Sequence, residues 1–487
     1  MNVILFTDVA DTAGYGKYAG TYKLATEIRN YGYTCQVIDN FSWLGPARLR
    51  TLIDKFITDD TFLVGFSCTV NEKRVNGKVW HWGLSDNEFY PILEYIRSKN
   101  NKIITCAGGS RVNVNSNWPG IDYVVVNKGD VAILKLIDHA VNGTEIKSTT
   151  NKHSKIINGD DYFYTQEKFN CSTIQYEQND IILPGETLPM EIARGCIFSC
   201  AYCHFDLIGK RIGDWTKNPE TIKAEMIRNY ELYGTTQYMF SDELINESMP
   251  KLEMLANTIA QLPFKIKYTS YARIDMIYRY PEMREMLLET GAASLTFGIE
   301  TFNITAGKAV GKGMHPDKVK QALHYCRDTW KDKIITSSNF IVGLPGETEE
   351  SMWATVDYLV SDQNPLDIFG FLPLFIREGE DGRHGSKIDN DPEKYGYTLT
   401  DGKWSNPNMS YNQALALTKK IYSRTDVKEK TKFMAATWIG RILSLGYSVE
   451  EIFDRIRNTN VSIAPADNVH VRANNMKLTY YNRLLEL

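Results

Sequence analysis

The sequence contains no apolar run approaching the roughly 18 residues that a membrane span needs. Its purely apolar stretches are short, such as Val3 to Phe6, and no basic segment opens it. A cytoplasmic protein is therefore expected, without a membrane partner or an export leader. Surplus positive charge is also missing: 55 Lys and Arg against 59 Asp and Glu give a net charge of -4. No global field draws in nucleic acid, and none is expected as a partner. Cysteine is scarce, with 8 in 487 residues, too few for a secreted disulfide framework. Internal repeats, heptad runs and low-complexity tracts are absent as well. What is present is a globular composition, 43% hydrophobic with 34 glycines, and enough chain for about three units of roughly 150 residues.

Apolar runs at Val3 to Phe6, Cys35 to Ile38, Phe62 to Phe66, Ile103 to Cys106 and Tyr123 to Val126 alternate with helical patterns, which predicts a parallel sheet covered on both faces over about residues 1–150. Residues 151–187 are polar, with turn signals at Asn158-Gly159-Asp160 and Pro184-Gly185, and read as a linker with short extended pieces. A second alternation follows over 188–395, with strands at Leu188 to Ala193, Gln237 to Phe240, Lys265 to Ser270, Ser294 to Gly298, Ile334 to Val342 and Ile368 to Leu374. Six strands with intervening helices predict a partial β/α barrel, a fold whose chemistry sits at the C-terminal strand ends. From about 396 to 487 the alternation stops, and a helical appendage is expected to cover the barrel mouth.

Five cysteines, Cys35, Cys68, Cys106, Cys171 and Cys326, stand alone and read as buried thiols. The other three form Cys196-x-x-x-Cys200-x-x-Cys203 on the loop after the first barrel strand. Thiolates this close can wrap one metal centre. Three ligands cannot complete a four-iron cube, so its fourth iron would stay open to an exogenous ligand. A structural Cys3His zinc using His204 is the alternative, although His204 adjoins Cys203 and makes joint tetrahedral ligation awkward.

The triplet, with Tyr202 in the aromatic slot before its last cysteine, resembles the signature of the radical S-adenosylmethionine (SAM) enzymes. Further segments resemble that family in the right order: Met190 to Cys196, Tyr238 to Glu243, Leu295 to Thr301 followed by Gly311-Lys312-Gly313, and Phe340 to Thr348. The resemblance spans about residues 188–375. It implies a 4Fe-4S cluster on Cys196, Cys200 and Cys203, with SAM on the open iron cleaved by one electron to methionine and a 5′-deoxyadenosyl radical. It also implies SAM contacts from Tyr202, from Ser241, Asp242 and Glu243 toward the ammonium, from Arg273 toward the carboxylate, from Glu300 toward the ribose hydroxyls and from Leu344 toward the adenine.

In the first unit, Gly14-x-Gly16-x-x-x-Gly20 with Asp39 invites a dinucleotide reading, but the third glycine arrives one residue late. The segments Ala19 to Asp39, Val64 to Thr69, Thr105 to Gly109 and Ile121 to Asp130 instead resemble the cobalamin-binding domain that precedes the barrel in one class of radical SAM enzymes. The resemblance implies a doubly wound, Rossmann-like fold with cobalamin contacts from Ser67, Thr69, Gly108, Gly109 and Gly129, where glycines leave room for a bulky nucleotide tail. Two departures stand out. Residues 8 to 14 read Asp-Val-Ala-Asp-Thr-Ala-Gly, without a cobalt-ligating histidine, and the last turn reads Lys128-Gly129-Asp130.

The resemblance implies a cobalamin-dependent methyltransferase acting on an unactivated carbon, with its cluster reduced by an external flavodoxin- or ferredoxin-like donor. A radical cyclase, rearrangement or oxidation enzyme with a non-methylating first domain is the alternative, and an iron-sulfur or zinc protein that binds a partner is the non-enzyme one. The substrate is not legible in the sequence. His384, Trp404, Tyr411 and His470 are isolated candidates to face it.

Overall fold

A computed structural model describes residues 2–8, 14–67, 72–75, 78–81, 84–110, 112–116, 118–162, 164–377, 382–431, 436–457 and 468–487. Its first strands are β1 (Asn2–Phe6), β2 (Thr34–Ile38) and β3 (Thr61–Ser67), with helices α1 (Ala19–Asn30) and α2 (Phe41–Phe56) between them. A small antiparallel sheet of β4 (Glu72–Val75), β5 (Lys78–His81) and β6 (Leu84–Ser85) precedes α3 (Asp86–Lys99). Then come β7 (Ile104–Gly108), β8 (Tyr123–Val126), α4 (Ala132–Asn142), β9 (Thr149–Thr150) and β10 (Lys155–Asn158). The large sheet has the order β2-β1-β3-β7-β8-β10-β9, parallel except for β9. Val3, Ile4, Val64, Val124 and Val126 are all fully buried, so apolar residues fill both faces of these strands, as parallel sheets require. The order over the first five strands is doubly wound, and its switch point opens a crevice beyond the carboxyl ends of the central strands.

Residues 151–187 are more than a connector. β10 extends the first sheet beside β8, and Tyr176, Asp180 and Glu186 are buried. Arg29 on α1 holds Asp180 through two bonds of 2.8 Å, which fastens this stretch to the first unit. The segment also carries α5 (Gln166–Asn170). Lys-Ile-Ile-Asn is too short a pattern to announce a strand from sequence.

The second sheet holds β11 (Leu188–Met190), β12 (Gln237–Phe240), β13 (Lys267–Ala272), β14 (Ala292–Glu300), β15 (Ile335–Val342) and β16 (Ile368–Pro373), parallel and side by side in chain order. Helices α6 (Pro219–Tyr233), α7 (Met249–Ile259), α8 (Ile274–Arg279), α9 (Met283–Glu289), α10 (Ile304–Val310), α11 (Pro316–Trp330) and α12 (Glu349–Val360) connect them. This is the expected partial barrel. Outward residues stack into the helical layer: Phe240 on Tyr268 at 4.5 Å between centroids, and Phe297 on Trp330 at 6.2 Å.

After α13 (Lys387–Asn390), the hairpin β17 (Thr398–Thr400) and β18 (Lys403–Ser405) leads into α14 (Tyr411–Ser423), α15 (Thr425–Lys430), α16 (Ala436–Leu443), α17 (Val449–Arg457) and α18 (Val469–Glu486). Among the described residues these helices pack on different parts of the molecule. α14 packs on β15 and β16, α16 lies against β12, β13 and β14, and α18 returns to α2 of the first unit. A Cβ on Gly440 of α16 would sit 3.0 Å from Thr269 Oγ1 and 3.8 Å from Met239 Cβ, so α16 is seated closely on those strands. Tyr480 of α18 accepts the Asp39 N–H through its hydroxyl at 3.0 Å. Among the described residues no helix is long and apolar enough to cross a membrane.

Candidate active site at the facing strand ends

The cysteine loop is built on backbone bonds within 193–217. Cys196 N–H donates to Leu207 O at 3.2 Å, Arg194 N–H to Trp215 O at 2.9 Å, and Gly209 N–H to Cys196 O at 2.8 Å. Gly195 adopts φ +72°, and a Cβ there would overlap the Leu207 carbonyl, so the turn into Cys196 admits only glycine. Cys196 and Cys200 are buried and Cys203 is half-buried. Two N–H groups approach the sulfurs: Phe198 N–H lies 3.4 Å from Cys196 Sγ, and Arg273 Nη1 lies 3.6 Å from Cys200 Sγ. Burial lifts Cys196 to about 11 and raises Cys203 too, so as free thiols both stay protonated at neutral pH. Thiols approached by N–H donors suit an iron-sulfur centre, whose sulfurs such bonds stabilise. His204 Nε2 lies 2.7 Å from Asp389 Oδ2, so the imidazole of the zinc alternative is engaged elsewhere. No three His, Cys, Asp or Glu side chains among the described residues converge on a single-ion site.

The expected SAM contacts divide. Asp242, expected at the ammonium, is buried and fully used: Ile192 N–H donates to Oδ1 and Lys251 Nζ to Oδ2, both at 2.7 Å. It continues the outward parity of Tyr238 and Phe240 on β12, while Ser241 and Glu243 fall on the inward one. Glu243 keeps Oε2 buried without a partner, and burial, reinforced by the Asp242 and Glu191 charges, lifts its carboxyl to about 7. Arg273 is also committed. Its fork grips Asp275 at 2.8 and 2.6 Å and stacks on Phe198 at 3.8 Å, which turns it toward the Cys200 sulfur rather than leaving it free for a carboxylate.

Tyr202 and Glu300 do come together, close enough that each perturbs the other's ionisation. Burial is the main reason that Glu300 is raised, with Lys312 and the Tyr202 hydroxyl opposing it. Leu344 departs from expectation: it is fully buried, in a turn where Gly343 takes φ +101° and the Trp404 ring fills the space a Cβ would need. Trp404 is itself core, its indole N–H donating to Leu374 O at 2.8 Å, and Tyr411 packs edge-on against it. His384 pairs with Asp160 at 3.2 Å, and His470 is exposed on α18.

At the C-terminal edge of the first sheet lies a cavity of about 310 Å³. Ser67, Gly108, Gly109 and Gly129, four of the five expected cobalamin contacts, line it; Thr69 lies outside the described residues, as do residues 9–13 and Cys68. A Cβ on Gly108 would approach Val125 only to 3.6 Å, so this glycine leaves space toward the cavity rather than relieving a clash. The same cavity is lined by Glu191, Arg194 and Ser241, residues that enter the cysteine loop or end β12. The crevice of the first sheet and the active end of the barrel thus share one space. Sequence reasoning missed Glu191 and Arg194 in this role, although Glu-x-x-Arg directly before Cys196 was a visible signal. Of the lone cysteines, Cys35, Cys106 and Cys326 are buried as expected, whereas Cys171 is exposed.

Residues 190–359 match the Radical SAM superfamily. The uncharacterized methyltransferase PH0819 of Pyrococcus horikoshii is 24% identical over 288 residues, covering 55% of this chain and 60% of that protein, so the chain spans about three-fifths of that relative. The structure of TsrM from Kitasatospora setae, a radical SAM methyltransferase with cobalamin and a [4Fe-4S] cluster bound, aligns over 94% of this chain and 99% of that one with a TM-score of 0.61 and 15% identity. The cobalamin-dependent radical enzyme OxsB, with aqua-cobalamin and SAM bound, aligns over 99% and 72% with a TM-score of 0.53 and 14% identity. These likenesses establish the two-sheet fold along nearly the whole chain.

Proposed function

From the premise that residues 190–359 form a radical SAM domain, we propose that the chain is a cobalamin-dependent methyltransferase acting on an unactivated carbon. In this reading Cys196, Cys200 and Cys203 hold the cluster, Glu243 faces the SAM ammonium, Glu300 with Tyr202 faces the ribose, and Ser241 borders both. Ser67, Gly108, Gly109 and Gly129 hold the cobalamin tail. Bound together, these groups supply one-electron cleavage of SAM and a cobalt carrier for the methyl group.

The observation that carries the reading is the cavity that Gly108 and Gly129 line together with Arg194 and Ser241, because methyl transfer requires carrier and radical source to share one chamber. TsrM and OxsB, whose folds this chain shares, hold cobalamin. Glu243 supports the SAM assignment by its chemistry: a buried carboxyl oxygen without a partner is completed by an ammonium, which returns the group to its charged form. Asp242 and Lys251 keep their structural bonds and hold β12 against β11. Buried Arg273 keeps its side chain by Cys200 and excludes water from that side of the thiols. Reduction of the cluster requires an electron donor, which we assign to a flavodoxin- or ferredoxin-like protein.

The test is anaerobic reconstitution with iron and sulfide, followed by reduction with SAM present. The reading predicts four irons per chain and release of 5′-deoxyadenosine, both lost on Cys196→Ala, Cys200→Ala or Cys203→Ala. Zinc retained in place of iron would contradict it.

A further inference from the structure

The turn after β8 and the strand exit that leads to the cysteines are joined through Arg194. Its Nη2 and Nη1 donate to Asp130 Oδ1 and Oδ2 at 2.9 and 3.1 Å, and its Nε donates to Glu191 Oε1 at 2.6 Å. The rings of Phe169 and Tyr164 lie 5.0 and 5.4 Å from the guanidinium carbon. Asp130 is buried, which alone would raise its carboxyl, yet the Arg194 charge holds it below the usual range. On the backbone side, Lys210 Nζ donates to Arg194 O at 2.8 Å and pairs with Glu247 at 3.3 Å, and Ile197 N–H donates to Glu247 Oε2 at 3.3 Å. The chain of bonds thus runs from Asp130, next to Gly129, to both sides of Cys196. Asp130, Glu191 and Arg194 all line the shared cavity.

We propose that Arg194, gripped by Asp130 and Glu191, is a positioning residue that fixes the separation and orientation between the corrin in the cavity and the centre on the cysteine loop. The inference rests on the cobalamin reading above. A bidentate guanidinium–carboxylate fork sets direction as well as distance, which a lysine, acting as a point charge, does not. The arrangement also accounts for the Lys128-Gly129-Asp130 turn: its acid serves the barrel.

The test uses full-length holoenzyme, reconstituted with cluster and cobalamin and reduced until both centres are paramagnetic. The electron spin relaxation of cob(II)alamin is enhanced by the nearby cluster and falls steeply with separation. Wild type is expected to give one uniformly enhanced rate. R194Q and D130N are expected to give a spread of rates at least twofold slower on average, with cobalamin and iron contents unchanged, and R194K to recover part of the enhancement. The D130N/R194Q pair should be no worse than either single variant, since both break one unit. D130E, which keeps the charge but lengthens the arm, should shift the rate without loss of cofactor.

Relaxation in R194Q and D130E identical to wild type would overturn the proposal. So would loss of cobalamin in proportion to unfolding while the retained fraction relaxes as wild type. Wild-type protein that binds no cobalamin would overturn the cobalamin reading itself, and this inference with it.

Discussion

Asp242 and Glu243 are adjacent carboxylates at the end of one strand, and their neutral amides are expected to act oppositely. In Asp242→Asn the buried ion pair with Lys251, 2.7 Å long, is lost, and Lys251 is left with Leu244 O at 2.7 Å and Glu247 at 3.6 Å. Removing one partner of a buried pair costs about 3–5 kcal/mol. The asparagine oxygen can still accept the Ile192 N–H, so the lower end, about 3 kcal/mol, is expected, or roughly 3 °C in Tm if all 487 residues unfold as one unit. Glu243→Gln removes a buried charge that burial disfavours and whose Oε2 has no partner, so at pH 8 the variant should be at least as stable as wild type. SAM affinity should behave the other way. E243Q should weaken it at least tenfold by removing the ammonium's counter-charge, whereas D242N, assayed below its midpoint, should weaken it less. Thermal unfolding by circular dichroism and equilibrium dialysis with SAM on reconstituted protein give the two readouts. A destabilised E243Q with unchanged SAM binding, or a D242N as stable as wild type, would refute the assignment.

Three further outcomes follow from the geometry. Gly108→Val adds a side chain to the cavity lining at a position where its Cβ meets only ordinary contacts with Val125, so it should fold and bind cobalamin at least tenfold more weakly in a desalting assay, while retaining its iron. Burial lifts Glu186 to about 7, so the folded chain holds a proton that the unfolded chain releases near the usual carboxylate value. Stability should then fall as pH rises from about 4.5 to 7, by at most about 1.4 kcal/mol per unit, and denaturant titrations of Glu186→Gln should show that slope reduced. Gly343→Ala forces a side chain at φ +101° into the Trp404 ring and should lower the unfolding midpoint by more than any of the variants above.

Much of this architecture was legible because local signals agreed with the global pattern. Pro219 and Pro316 open α6 and α11 at positions where a missing N–H costs nothing, and both helices fall between the expected strands. The apolar runs of both sheets fell where strands were expected. The tail was less readable. α18 buries Ala473, Lys477, Tyr480 and Leu484 at helical spacing, but Lys477 disguises the stripe and its docking on α2 is a long-range fact. The site was partly legible. Motif order located the strand ends, yet choosing between Asp242 and Glu243 needed the period-2 parity of Tyr238 and Phe240, which the sequence did contain. Arg273 could not be assigned from sequence, since only the fold shows its fork taken by Asp275. The burial of Leu344, and the Trp404 ring against the neighbouring Gly343 from some sixty residues away in the chain, are long-range facts that local sequence does not carry.

The most direct measurement is cofactor stoichiometry. The protein is reconstituted anaerobically with iron, sulfide and hydroxocobalamin, desalted, and analysed by absorbance and metal content. One cobalamin and one four-iron cluster per chain, with cobalamin lost in Gly108→Val and iron lost in Cys200→Ala, is the predicted result. A protein that assembles its cluster but retains no cobalamin would contradict the methyltransferase account and leave the cavity of the first sheet to another ligand.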